Sequence, residues 1–245
     1  MPDAVLNGHA HHWEDVGAGP PLVMLHGAAG SSRGLAGPAE ALSKHIRVIA
    51  IDLRGMGQSA RVTSLPPSAW VDDLGALLDH LTLKRVAIFG TSLGARIALR
   101  YAVNAPARVS ALILDNPIVA NESSGNAALN ARMSNPQSLT EEAKSRYRAL
   151  HGEDWETVVR SFFAIRNDPA LQDYLNLRER AKGLDIPTLL TRGDDRRDTV
   201  HPLPHVFELF EMLPRSHIWI KPEGGCFSTA EGADRVRAFV LEAQP

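Results

Sequence analysis

The stretch that decides the fold is Val86-Ala87-Ile88-Phe89-Gly90-Thr91-Ser92-Leu93-Gly94. Its first four residues form an apolar run typical of a buried strand, and the apolar residues after Gly94 recur at helical spacing. Between them, the pattern G-x-S-x-G predicts a sharp strand–turn–helix connection that exposes the hydroxyl of Ser92 at the carboxyl edge of a sheet. Such a turn requires small flanking residues, which the two glycines supply. Ser92 is therefore the candidate nucleophile.

Short apolar runs that end near Gly, Asp or Pro recur on both sides of this stretch. They lie at residues 22–25, 47–51, 111–114, 188–191 and 218–220. Runs of this length fit strands that are buried on both faces of a parallel sheet, and helical patterns alternate with them. The alternation predicts an α/β fold with a mostly parallel central sheet and helices on both faces. Asn7-Gly8 is typical of a hairpin, so we expect the first strands to be antiparallel.

One segment, residues 116–185, contains no buried strand pattern. It begins with the polar stretch Asn121–Asn126, which we interpret as a flexible loop, and continues with helical patterns at 139–150, 154–165 and 169–182. A helical insertion between two core strands usually covers the ligand end of the sheet. We therefore predict a core of residues 1–115 and 186–245, with residues 116–185 as a small helical cap.

Composition excludes several classes of protein. The 245 residues carry 26 Lys and Arg against 28 Asp and Glu, a balance that argues against non-specific nucleic-acid binding and against polybasic membrane binding. A single cysteine excludes an intramolecular disulfide framework and suits a reducing compartment. No apolar stretch approaches the roughly 18 residues of a membrane helix, and the first residues do not resemble a signal peptide. We expect a cytoplasmic protein that acts on a small molecule.

Further motifs resemble the α/β-hydrolase superfamily over nearly the whole chain. His26-Gly27-Ala28-Ala29-Gly30 is similar to the loop after that family's third strand, and Asp52–Ser59 is similar to its D-x-R-G-x-G-x-S segment. By this resemblance, the backbone N–H groups of Ala28 and Leu93 form the oxyanion hole, and no cofactor or metal is required. The superfamily includes hydrolases of esters, lactones, amides and carbon–carbon bonds, as well as cofactor-free lyases and non-catalytic members.

The family's general base, a histidine after the last strand, is missing from its usual place. The loop reads Pro222-Glu223-Gly224-Gly225-Cys226-Phe227, with Cys226 at the histidine position. A thiol is a poor substitute, because imidazole takes the serine proton on one nitrogen while a carboxylate holds the other. If Cys226 has only a structural role, it is a small buried apolar residue.

Three hypotheses remain open for the base. In the first, the Ser–His mechanism is lost. In the second, another histidine has moved in: His201 and His205 follow the strand at 188–191, His26 lies beside the oxyanion loop, and His217 lies in the last strand. In the third, Cys226 takes part directly as a redox-sensitive or covalent group.

The acid is also ambiguous. In most relatives it lies three residues beyond the glycine that ends the strand at 188–191, and that position is Arg196 here. Asp198 takes the role if two residues are inserted, and Asp195 is the nearest carboxylate without insertion. Some family members place the acid after the strand before the cap, where this chain has Asp115.

Other clusters favour structural roles. His9 and His11 would share one strand face, but no further ligands complete a metal site, so we expect none. The cap arginines are typical of a solvated face; they are Arg160, Arg166, Arg178 and Arg180. Trp155, Phe162 and Phe163 should lie on the cap's apolar face, where they either pack on the core or line the pocket.

The sequence leaves three functions open. The first is hydrolysis of a small-molecule ester, lactone, amide or carbon–carbon bond, with Ser92 as nucleophile. The second is a non-catalytic protein that binds a small ligand, and the third is a cofactor-free lyase or cyclase that uses the same pocket. A homodimer is compatible with each of them.

Overall fold

The strands form one mixed, mainly parallel sheet. The computed structural model describes residues 3–121, 124–222 and 230–243, and within them the eight strands lie in the order β1-β2-β4-β3-β5-β6-β7-β8. Only the pairs β1–β2 and β2–β4 are antiparallel. The strands are β1 (Asp3–Leu6), β2 (His9–Val16), β3 (Pro21–Leu25), β4 (Arg47–Ile51), β5 (Val86–Thr91), β6 (Val109–Asp115), β7 (Thr188–Gly193) and β8 (Ser216–Lys221). The prediction of a mostly parallel α/β sheet is confirmed.

The antiparallel start of the sheet follows from the turn at Asn7-Gly8. Both residues adopt a positive φ, 49° for Asn7 and 78° for Gly8. Two successive residues of this kind form a type I′ turn, whose twist matches the twist of paired strands. Leu6 and His9 consequently lie opposite each other in the β1–β2 hairpin, as the sequence predicted.

In the part of the chain that the structure describes, five α-helices follow core strands or flank the sheet, and four lie in the insertion. The first group is α1 (Ala36–Ser43), α2 (Ala69–His80), α3 (Leu93–Asn104), α8 (Leu203–Met212) and α9 (Ala230–Glu242). Between β6 and β7, the described residues form α4 (Ser124–Met133), α5 (Glu141–His151), α6 (Trp155–Arg166) and α7 (Pro169–Tyr174). None of these helices is both long and apolar enough to cross a membrane.

Two details of the insertion differ from the prediction. The helix predicted at 169–182 corresponds to α7, which ends at Tyr174. Three residues later, Leu177 donates its N–H to the carbonyl of Val119, and this contact brings the chain back to the segment that follows β6. The helical continuation to residue 182 is therefore wrong. Helix α4 already begins at Ser124, so the last residues of the expected loop are helical.

The core lies on both faces of the sheet. In β5, Val86 and Ile88 belong to one buried cluster, while Ala87 and Phe89 belong to the other. A strand that is buried on both sides must be apolar at every position, which explains the continuous apolar run in the sequence. The same alternation occurs in β3, where Leu22 and Val23 are both fully buried but in different clusters.

The aromatic residues of α6 pack onto the core. Trp155, Phe162 and Phe163 are all buried in the larger cluster, and the rings of Phe162 and Trp70 of α2 are 6.3 Å apart. Of the two alternatives for these side chains, packing on the core or lining the pocket, the structure shows that they pack on the core. Burial of three aromatic side chains contributes on the order of several kcal/mol to holding the insertion on the core.

The turn between β5 and α3 is possible only with glycine at two positions. A Cβ built on Gly90 would overlap the backbone of Gly94, and a Cβ built on Gly94 would overlap the carbonyl group of Leu25 in β3. Backbone atoms cannot move aside without disturbing the sheet. The helix therefore approaches the strands closely and begins immediately after Ser92.

We expect Gly90→Ala to lower the free energy of unfolding by roughly 2 kcal/mol or more, because the added methyl group meets the backbone of Gly94 and Ala95 in α3. The matched control is Gly37→Ala in α1, where an added Cβ meets nothing within 4 Å. That control should leave stability unchanged or raise it by a few tenths of a kcal/mol. Urea unfolding of the three proteins measures both effects, and equal midpoints for Gly90→Ala and the wild type would contradict the steric argument.

Candidate active site

Ser92 occupies the strained turn between β5 and α3. Its φ is 54° and its ψ is −110°, a backbone conformation that residues other than glycine rarely adopt. The backbone N–H of Ser92 donates to the carbonyl of Asp115 at the end of β6 over 2.9 Å. Strain at a polar residue persists where the surrounding structure enforces it, and it is common at catalytic positions. The turn holds the side chain of Ser92 at the carboxyl edge of the sheet.

His201 reaches Ser92 from the loop that follows β7. Its Nε2 lies 2.8 Å from the Oγ of Ser92, although 109 residues separate the two in the chain. Its Nδ1 lies 2.8 Å from Oδ2 of Asp198. Because a carboxylate can only accept, Nδ1 carries the hydrogen, and the lone pair of Nε2 faces the serine hydroxyl. The three side chains form a continuous hydrogen-bonded relay.

Asp198 organises the loop on which the histidine lies. Its Oδ1 accepts the backbone N–H groups of Val200 and His201, over 3.0 and 3.1 Å. Burial alone would raise the pKa of Asp198, but the hydrogen bond and charge of His201 and these N–H groups outweigh it, so the pKa lies below its usual value. The carboxylate is therefore ionised at neutral pH and orients the imidazole.

Asp115 lies in a different environment. Its carboxylate accepts the hydroxyl groups of Thr191 over 2.8 Å and Thr91 over 3.0 Å, and the side-chain N–H of Asn116 over 3.1 Å. Burial raises the pKa of Asp115 above its usual value, against the effect of these donors and of His201. The structure thus directs the ring of His201 towards Asp198, whereas Asp115 joins the ends of three neighbouring strands.

The remaining candidates lie elsewhere. Asp195 pairs with Arg197 at the surface over 3.0 Å. His26 is buried; its Nδ1 donates to the carbonyl of Gly27 and its Nε2 accepts the N–H of Leu53, so both nitrogens are used. Burial lowers the pKa of His26. His205 is buried in α8, and His217 is exposed on β8.

Cys226, which stands where the family has its histidine, lies outside the described residues. The hypothesis that Cys226 takes part directly therefore stays a prediction. Among residues 3–121, 124–222 and 230–243, no cluster of three or more His, Cys, Asp or Glu side chains could hold a metal ion. The histidines of β2 are engaged locally: His11 lies 3.0 Å from Asp73, and His12 lies 2.7 Å from Asp3.

The expected oxyanion loop passes next to the serine. A Cβ built on Gly27 would lie 3.5 Å from the Cβ of Ser92, so this loop approaches the serine at Gly27, one residue before Ala28. Leu93 is the first residue of α3, and the first N–H groups of a helix have no carbonyl partner within the helix. The binding of a negatively charged oxygen by the N–H groups of Ala28 and Leu93 stays a prediction.

A histidine of the insertion, which the sequence did not indicate, holds this loop. His151 at the end of α5 donates from Nε2 to the carbonyl of Ala29 and accepts the N–H of Gly57 at Nδ1, each over 3.0 Å. Burial lowers the pKa of His151 to about 4, with Arg61 and His26 adding to the effect. The neutral ring thus joins the insertion to the loop beside Ser92.

A second feature that the sequence did not indicate is the set of partners of a buried arginine. Arg166, expected on a solvated face, is buried and donates to the side-chain oxygens of Asn121, Asn126 and Asn130. Neutral amide oxygens replace carboxylates as its partners. A buried arginine is costly without such acceptors, and amide side chains in a helix give little sequence signal for this role.

Comparison with known proteins settles the family. The profile described as alpha/beta hydrolase fold matches residues 20–212. The chain belongs to this family. It is 38% identical over 105 residues to a 2-hydroxy-6-oxo-2,4-heptadienoate hydrolase from Pseudomonas putida, which is 41% of this chain and 38% of that protein. It is 39% identical over 103 residues to a pimeloyl-[acyl-carrier protein] methyl ester esterase from Nitrosomonas europaea, 42% of this chain and 39% of that one.

The match to solved structures extends over nearly the whole chain. A meta-cleavage product hydrolase from Pseudomonas fluorescens has a TM-score of 0.77 and 24% sequence identity, with 99% of this chain and 97% of that chain covered. At this identity the likeness shows the shared fold. In the sequence comparison, the chain thus spans less than two-fifths of the length of the first curated relative. In the structural comparison, it spans nearly all of the solved structure.

The buried neutral ring of His151 makes stability depend on pH. Its pKa is near 6.5 in the unfolded chain and about 4 in the folded protein, so the unfolded state binds more protons between these values. The stability that depends on the neutral ring is present above about pH 6.5 and is lost as the pH falls towards 4. Between pH 7 and 5 we expect a loss of about 2 kcal/mol from this group.

His151→Gln, whose amide does not titrate, should show a smaller loss between pH 7 and pH 5 than the wild type. Urea unfolding of both proteins at the two pH values measures the difference, and His217→Gln on the exposed edge of the sheet serves as the matched control. Parallel pH dependences of the wild type and His151→Gln would refute this account of the buried ring.

Proposed function

We propose that the protein is a serine hydrolase of small carbonyl compounds, in which Ser92 is the nucleophile, His201 the general base and Asp198 the acid that orients the base. One observation carries the proposal, namely the pair of 2.8 Å contacts that joins Ser92 Oγ to His201 and His201 to Asp198. These distances lie within hydrogen-bond reach, and the roles match the chemistry of each group.

The reaction follows from the protonation states. His201 Nε2 takes the proton of Ser92 while Oγ attacks the carbonyl carbon of the substrate. The N–H groups of Ala28 and Leu93 bind the oxygen that becomes negative, an interaction worth roughly 3 kcal/mol per donor in the transition state. His201 then gives its proton to the leaving group as the bond to that group breaks. In the second half of the reaction His201 takes a proton from the water that attacks the acyl carbon, and it returns this proton to Ser92 Oγ as the bond between Oγ and the acyl group breaks.

This proposal selects among the alternatives for the base. A histidine on the acid's own loop supplies both nitrogens that the relay needs, so neither a lost base nor a catalytic role for Cys226 is required. A protein that only binds a ligand does not need an imidazole aligned between a hydroxyl and a carboxylate. The relay therefore favours turnover over binding alone.

The first substrates to assay follow from the relatives. One relative acts on a 2-hydroxy-6-oxo-2,4-heptadienoate and another on a methyl ester. An oxo-dienoate and a series of short-chain methyl esters therefore represent the two classes of bond, carbon–carbon and ester, that a serine relay of this kind can cleave. The relative values of kcat/KM decide between the two classes.

We expect a fluorophosphonate probe to label the wild-type protein at Ser92, because the reaction requires a serine hydroxyl activated by a base. Ser92→Ala and His201→Ala should lose the labelling. His205→Ala, His217→Ala and Cys226→Ala are matched controls and should retain it. Mass spectrometry of the labelled peptide identifies the site. Labelling that persists in His201→Ala, or that disappears in Cys226→Ala while the variant remains folded, would overturn the assignment of the base.

The two candidate acids can be separated by isosteric substitution. Asp198→Asn should lower kcat/KM by roughly 10³- to 10⁴-fold, because an amide no longer fixes the tautomer of His201. Asp115→Asn should lower kcat/KM by less than about tenfold, or 1.4 kcal/mol, and should mainly reduce the free energy of unfolding, since it weakens buried hydrogen bonds to two threonines. Kinetics and urea unfolding of both variants test this, and a larger kinetic loss in Asp115→Asn would exchange the two roles.

A further inference from the structure

The acid and the base of the proposed relay lie on one loop, residues 194–202 between β7 and α8, and a buried arginine lies beneath this loop. Arg192 is only 3% exposed. Its Nε and Nη2 donate to the carbonyl of His201 over 2.8 and 2.6 Å. Its Nη2 also lies 3.3 Å from the carbonyl of Asp198 and 3.8 Å from the carboxylate of the same residue.

The same guanidinium reaches the beginning of the loop. It donates to the carbonyl of Gly193, and both of its terminal nitrogens lie within 3.5 Å of the carbonyl of Asp195. Four backbone carbonyls, at positions 193, 195, 198 and 201, thus converge on one side chain. Only the planar fork of arginine presents five donors in a fixed arrangement, and an ammonium group cannot span such a set.

We propose that Arg192 is a positioning residue that sets the distance and direction of the His201–Asp198 pair relative to Ser92. The inference rests on the proposed function, since it concerns the same relay. The contacts described above join Arg192 to the backbone that carries Asp198 and His201, so it acts through the loop. Without it, the carbonyls of Asp198 and His201 lose a shared donor, and the loop is free to move away from the sheet edge.

The alternative is a purely structural arginine that holds the loop without affecting the relay. The two roles differ in their consequences. A structural residue changes stability but leaves kcat of the folded protein intact, whereas a positioning residue lowers kcat in a protein that remains folded. Displacement of a catalytic group by about 1 Å costs roughly 10²-fold in rate, while substrate binding, which does not depend on the base, is preserved.

The test compares Arg192→Gln and Arg192→Lys with Arg197→Gln, a matched control on the same loop whose exposed arginine pairs with Asp195 at the surface. We expect kcat to fall roughly 10²-fold in Arg192→Gln with KM changed less than about threefold. Arg192→Lys should recover part of the loss, because it keeps the charge but fewer of the contacts. Arg197→Gln should match the wild type.

A spectroscopic readout separates position from stability. The Nδ1 proton that His201 shares with Asp198 should give a downfield proton resonance in the wild type and in Arg197→Gln. In Arg192→Gln that resonance should be broadened or lost in a protein whose unfolding remains cooperative. If Arg192→Gln does not fold, Arg192→Lys provides the same two readouts.

The outcomes are distinct from those of the proposed function. If the probe does not label wild-type Ser92, the proposed function fails before Arg192 is considered. If the wild type is labelled and both Arg192 variants keep its kcat and its downfield resonance, or if neither variant folds, Arg192 is structural and this inference is overturned.

Discussion

The close approach of α3 to the backbone of β3 is the constraint on which the rest of the site depends. Gly94 lies against the carbonyl group of Leu25, and Gly90 lies against Gly94, so a helix can begin only at this point and only without side chains at either position. The chain therefore turns within one residue, and Ser92 takes up a positive φ of 54°. This strain is local, but it fixes the position of the Ser92 side chain at the carboxyl edge of the sheet.

The sheet itself then brings the second half of the site to the first. Thr91, Asp115 and Thr191 lie side by side in register at the ends of β5, β6 and β7. The buried carboxylate of Asp115 accepts a hydroxyl from each threonine and so ties the outer two strands across the middle one. Ser92 directly follows β5, and Arg192 is the next residue of β7. The separation between Ser92 and the loop that carries His201 thus depends on strand register.

Much of this arrangement could be predicted from the sequence. The glycines around Ser92, the apolar runs and the turn at Asn7-Gly8 each report a local requirement, since buried strands need apolar residues on both faces and tight turns need small ones. For the same reason the sequence indicated that the loop at residues 26–30 lies near Ser92, which Gly27 approaches in the structure. The sequence also has Cys226 at the place where the family has its histidine, and a thiol cannot do the work of an imidazole.

The histidine that contacts Ser92 could not be predicted, because its position depends on the path of a loop. Four histidines were candidates, and the three-residue spacing of Asp198 and His201 favours their contact only if the chain turns between them. That turn is stabilised by backbone N–H groups of the loop and by the contacts of Arg192, which are three-dimensional and leave no periodic pattern. His151 and Arg166 escaped prediction similarly, since their partners are backbone groups or neutral amides.

An acid and a base on one loop have a physical advantage over the same pair on two loops. Asp198 uses one oxygen to accept the N–H groups that close the turn and the other to hold the ring of His201, so the interaction that folds the loop also orients the base. Only one distance, from this loop to Ser92, is left for the rest of the protein to fix, and the entropic cost of assembling a contact over three residues is small. In the proposed relay the proton moves between Ser92 and His201, and Asp198 holds the other nitrogen of the ring. A cysteine at position 226 therefore meets no requirement for basicity, and its presence is compatible with a complete relay.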